Sequence, residues 1–110
     1  MLTRLAIFEG SVRKGQEEAF RAYVDQRLVP LWRKFEGAAE VRVLFALERD
    51  GKARDIPLIL AITYPDRAAM ARALASPARY ESRDLLPELF ERFFDGSLHH
   101  HLMETQCFTD

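Results

Sequence analysis

Apolar and polar positions along this chain follow two periods, one near two residues and one near three and a half. Leu5-Ala6-Ile7-Phe8 is an apolar centre between polar ends, which predicts a strand over 2–12, broken by Arg13-Lys14-Gly15. Phe20, Tyr23, Val24, Leu28, Leu31 and Phe35 then recur at three- and four-residue spacings, one stripe of a helix over 16–35. Pro30 lies inside that helix. Lacking an N–H and clashing with the preceding turn, it must kink the helix or start a new turn. Glu36-Gly37 is a helix stop. Val41, Val43, Phe45 and Leu47 alternate, predicting a second strand over 40–48, and Asp50-Gly51 marks the turn after it. Residues 56–64 form an almost continuously apolar third strand, with Pro57 tolerated near its start. Pro65-Asp66 opens an alanine-rich helix. Ser76-Pro77 starts another, as N-cap and first helical residue, with Pro87 as a further restart. Asp95-Gly96 ends it, and 98–108 reads as the fourth strand.

The order is β-α-β-β-α-β with no repeat or linker, so the 110 residues are expected to form one domain, residues 1–110. That order predicts an α+β ferredoxin-like sandwich: a four-stranded antiparallel sheet with the helices on one face. Such a sheet leaves its other face uncovered, and a wet face should alternate with polar residues. Leu58 to Ile62 does not, and neither do Leu5 to Phe8 or Val43 to Leu47. Several hundred Å² of apolar sheet is a liability in a monomer. At ~25 cal/mol per Å², covering it drives association, and a two-fold homodimer is the simplest cover. The alternative is local cover by helix and tail residues.

Charge narrows the partners. Sixteen basic and seventeen acidic residues give a net charge of −1 with no basic run. Nucleic acid, which needs a one-signed field, is not expected as a partner. No segment approaches the ~18 apolar residues of a membrane span, so no membrane is expected either. The first twelve residues lack the apolar stretch of a signal peptide, and Cys107 is the single cysteine. A reducing, cytoplasmic location is therefore the expectation.

The candidate chemistry centres on His99-His100-His101, which holds every histidine of the chain. Strand alternation puts His99 and His101 on one face and His100 on the other. A His-x-His pair can give a metal two ligands, but a closed zinc site needs three or four. Cys107 lies ~20 Å farther along the strand, so no metal is expected. Histidine titrates near neutral pH and suits general acid–base work, which makes His99 and His101 the candidate catalytic residues. The competing reading is that the histidines edge the dimer interface. Trp32 and Tyr64, with His100, are candidates to line an apolar substrate pocket, although aromatics at such spacings also serve as core. Glu9, Arg42, Glu48 and Glu104 are charges on strands, at a solvent edge or in a site. There is no glycine-rich phosphate loop, no G-x-G-x-x-G and no Cys-x-x-Cys, so no cofactor is expected.

Leu28-Val29-Pro30-Leu31-Trp32 with Phe35-Glu36-Gly37, Tyr64-Pro65-Asp66 leading to Ala75-Ser76-Pro77, and Phe94-Asp95-Gly96 before His99-His100 give the chain a family likeness. In these segments it resembles the dimeric α/β-barrel superfamily and, within it, the EthD-like group. That group often carries histidine two residues before the helix-one proline; here Leu28 stands there. The resemblance implies a ferredoxin-like dimeric barrel with a small-molecule pocket. It also implies one of several activities, cofactor-independent oxygenation and isomerisation among them, and a fold does not choose between activities. Two readings follow. One is a small oxygenase- or isomerase-type enzyme acting on a hydrophobic small molecule. The other is a non-catalytic ligand-binding or accessory dimer of a degradation or stress pathway.

Overall fold

A computed structural model describes residues 1–109. Strands β1 (Leu2–Val12), β2 (Glu40–Phe45), β3 (Leu58–Tyr64) and β4 (Phe94–Glu104) form one antiparallel sheet in the order β2-β3-β1-β4. The ferredoxin-like sandwich expected from the element order is what the chain adopts. The first helical arm is α1 (Glu17–Tyr23), a π-helical stretch (Val24–Leu28) and α2 (Val29–Trp32). The second comprises α3 (Arg67–Leu74) and α4 (Pro77–Arg92).

The structure revises several boundaries. The first arm is not one regular helix: a wider turn precedes Pro30, which is how the chain accommodates a residue without an N–H. Pro87 restarts nothing, since α4 runs through it. Asp95-Gly96 is no helix stop, because β4 begins at Phe94 and continues to Glu104 rather than spanning 98–108. Gly96 pairs there with Gly10, and a Cβ on Gly96 would lie 2.2 Å from the Glu9 carbonyl oxygen. The two glycines exist for that close backbone approach. The second and third strands are shorter than expected, Glu40–Phe45 and Leu58–Tyr64. The helix starts hold. The Asp66 carboxylate accepts from the Ala69 N–H at 2.8 Å, and Pro77 is the first residue of α4. Ser76 occupies the N-cap, but its hydroxyl donates to the Ala73 carbonyl instead of capping the helix.

The core lies between the helices and one sheet face. Even-numbered β1 and β3 residues (Ala6, Phe8, Leu58, Leu60, Ile62, Tyr64) point into it, against Leu28, Trp32 and Leu89. Each fully buried large apolar side chain contributes roughly 1.5–3 kcal/mol. Phe8, Phe90 and Phe94 pack edge-on and stacked at 5.3–6.4 Å between centroids at one end of this layer.

The opposite face carries no helix. Strand register sets three rows across it: Leu44–Ile59–Ile7–His99, Arg42–Ala61–Leu5–His101 and Glu40–Thr63–Thr3–Met103. The chain itself partly closes this face: in the third row the Thr3 hydroxyl bonds those of Thr63 and Thr105, and Ala61 in the second row is buried. Leu44 is 47% and Met103 51% exposed. Two of the charged strand residues are held in exposed ion pairs, Glu9 with Arg54 and Arg42 with Glu40.

Candidate functional site

The small side chain of Ala6 sits between Leu60 on β3 and His100 on β4. A methyl group in that row leaves room above the sheet where its neighbours fill theirs. A cavity of about 170 Å³ occupies the space. Ala6, Phe8, Leu60, Ile62 and Leu98 form its floor on the sheet, Trp32, Ser82 and Leu86 close it from the helices, and Phe35 adds to it from the loop after α2. Arg4, Tyr64, Arg79, Arg83 and His100 complete the lining. Apolar walls with a few converging polar groups are what a small-molecule site requires.

Each element places its contribution by simple periodicity. Arg4, Ala6 and Phe8 share a face of β1 because side chains alternate. Arg79 and Arg83, four apart on α4, share a helix face with Ser82 and Leu86. Trp32, at the end of α2, is 3% exposed and is the only tryptophan of the chain.

Electrostatics set the site apart. Arg4, Arg79 and Arg83 form no ion pair among the described residues, although five other arginines do. Burial, then the positive charge of Arg79, disfavours the charged form of Arg4 and lowers its pKa. Burial raises the pKa of the Tyr64 phenol, against the pull of Arg4 and Arg79, so Tyr64 is a neutral hydroxyl. His100 stands at the rim. Loss of hydration on its cavity side, the charges of Arg4 and Arg79, and a smaller push from His99 lower its pKa to about 4. Its imidazole is therefore neutral at physiological pH, able to accept a proton at one ring nitrogen while donating from the other.

The residues singled out in the sequence divide between the two faces. Trp32, Tyr64 and His100 meet in the cavity. His99 and His101 do not: they project from the opposite face, their rings 5.6 Å apart and roughly perpendicular. Among the described residues no three His, Cys, Asp or Glu side chains converge to hold a metal ion. Arg4, Arg79, Arg83 and Ser82 went unnoticed in the sequence. The signal that could have found Arg4 is its phase, since a charged residue shares the inward parity of Ala6 and Phe8.

No helix among the described residues is long and apolar enough to cross a membrane. No family model matches the chain, and no curated protein does. Solved structures do. An EthD family protein of Bacillus halodurans aligns over 96% of this chain and all of its own, at 16% identity and a TM-score of 0.73. An antibiotic biosynthesis monooxygenase aligns over 97% of this chain and all of its own, at 17% identity and a TM-score of 0.61. SnoaB, a cofactor-independent oxygenase from Streptomyces nogalater, aligns over 97% of this chain and 94% of its own, at 20% identity and a TM-score of 0.61. At these identities the likeness is one of fold, and the chain has the ferredoxin-like fold of the EthD and antibiotic biosynthesis monooxygenase structures.

Proposed function

We propose that this protein is a small cofactor-independent enzyme of the oxygenase or isomerase type, acting on a hydrophobic small molecule in the cavity beneath Trp32. The observation that carries the reading is a neutral histidine, His100, at the rim of a cavity whose apolar walls carry only a few further polar groups, Arg4, Tyr64, Arg79, Ser82 and Arg83. Such a group can take a proton from an acidic C–H or O–H of the substrate, leaving the electron pair delocalised over the substrate ring. Return of the proton to another carbon gives an isomer. Dioxygen is the oxidant in the other branch. The carbanion's electrons form a C–O bond to it, and the proton on His100 returns to give a hydroperoxide. Loss of water across the O–O bond leaves a carbonyl, with one oxygen atom in the product and one in water. Trp32 and Phe8 hold the ring, and Tyr64 is a neutral donor beside it. The fold shared with SnoaB supports the oxygenase branch. Catalysis from His99 and His101 would instead require a site on the open sheet face.

That face is proposed to pair with a second copy. The row through Leu44, Ile59 and Ile7, with Leu44 exposed and the two isoleucines part-exposed, supplies apolar surface that no helix covers, and a two-fold dimer removes it from water. His99 and His101 then edge the interface. A free, exposed cysteine, Cys107, fits a reducing compartment such as the cytoplasm.

The test is incubation with phenolic and enolic bicyclic aromatics under isotopically labelled dioxygen, without added metal or flavin, followed by mass spectrometry. Labelled oxygen in the product, or an isomer of unchanged mass, is expected, and His100→Ala should abolish either. Ligands that raise the melting temperature but are never converted would favour the non-catalytic binding module instead.

A further inference from the structure

Resting on that reading of the cavity, we propose that its natural ligand is an aromatic acid, bound as the carboxylate anion on Arg4 and Arg79 with its ring under Trp32. The argument is one of uncompensated charge. Three arginines line a cavity whose walls are otherwise largely apolar. A partly buried cation is ordinarily paired, because an unpaired one forfeits hydration without replacement. Here the pairing groups are missing. Neither Arg4 nor Arg79 makes an ion pair among the described residues. Nor does Glu104, on the same sheet face as Arg4 and one register step away, reach it.

The two guanidinium groups arrive from different directions. Arg4 rises from the central strand β1, and Arg79 descends from the first turns of α4. One N–H of Arg79 donates to the Leu74 carbonyl at 3.3 Å, which anchors the side chain and leaves its other donors free. Arg83 lies by Tyr80, its guanidinium carbon 5.2 Å from the ring centroid, and adds positive field rather than a necessary contact. Guanidinium forks match a carboxylate geometrically and form the stronger class of hydrogen bond. The neutral imidazole of His100 completes the polar end by donating its ring N–H. An anion there offsets the charges of Arg4 and Arg79 and so favours protonation of His100. Opposite this polar end the walls offer Phe8, Trp32, Leu60 and Leu98, a surface for a ring system and not for a second charge.

Isothermal titration with 2-naphthoate and its neutral counterpart 2-naphthamide tests the proposal. The naphthoate is expected to bind at least about tenfold more tightly than the amide. Arg79→Gln and Arg4→Gln should each weaken naphthoate about tenfold while leaving the amide unchanged. Arg79→Lys should recover part of the loss. Equal affinity of the two compounds, or loss of both together in the arginine variants, overturns the anion subsite and leaves the cavity standing. Binding of neither overturns the cavity reading and this inference with it.

Discussion

The two faces of the sheet are built from the same strands yet hold opposite kinds of surface. One is roofed by helices and encloses a cavity edged by Arg4, Arg79 and Arg83. The other is open, with Leu44, Ile59 and Ile7 in a row that ends at His99. The His99-His100-His101 run is divided between them by parity alone. His100 shares a cavity with Arg4 and Arg79, feels their charge and loses part of its hydration, while its neighbours lie beside the aliphatic Ile7 and Leu5 of β1. Identical residues one step apart thus enter different chemistry, and a one-residue change of register would exchange them.

The comparison can be broken or sharpened by substitution. The largest expected effect comes from Trp32→Ala. It removes a buried indole from the roof of the cavity and should lower unfolding free energy by about 3–5 kcal/mol in urea denaturation. Gly96→Ala, forced 2.2 Å from the Glu9 carbonyl oxygen, should also destabilise β4 measurably in the same assay. On the open face, Leu44→Glu should convert a dimer into a monomer in sedimentation velocity while the melting temperature at low concentration changes little. A wild-type monomer would remove the proposed role of that face.

A smaller effect separates the histidines by pH. The pKa of His100 is lowered in the folded chain from 6.5 to about 4. In that window the unfolded state binds more protons, so this residue's contribution to stability is fully present above pH 6.5. It is lost progressively as pH falls toward about 4. His100→Gln should flatten the dependence of melting temperature on pH in this range. The smallest effect is proton uptake on binding 2-naphthoate near pH 5.5, read as a buffer-dependent titration enthalpy that His100→Gln eliminates.

Much of the fold was legible because its periods are strong. Strand alternation, the three-and-four stripe of the first arm, and the starts at Asp66 and Pro77 give the right elements in the right order. The misreadings have physical causes. Asp95-Gly96 has the composition of a helix stop, but Gly96 is needed for its close approach to Gly10 across two strands, which no local pattern reveals. Pro87 lies inside a helix whose packing overrides the local interruption. Of the candidate site, Trp32, Tyr64 and His100 were legible as an aromatic and polar set. The arginines were not, since Arg79 and Arg83 resemble any solvated helix face until the topology lays α4 over β1 and β4.

The central claim is that the cavity at His100, and not the open face at His99 and His101, receives the small molecule. Two-bond proton–nitrogen correlation spectra of the three imidazoles, recorded with and without 2-naphthoate, test it most directly. The account predicts that the His100 ring signals shift and that its titration moves up from about 4, with His99 and His101 unmoved. Shifts confined to His99 and His101 would contradict it and place ligand binding on the opposite side of the sheet.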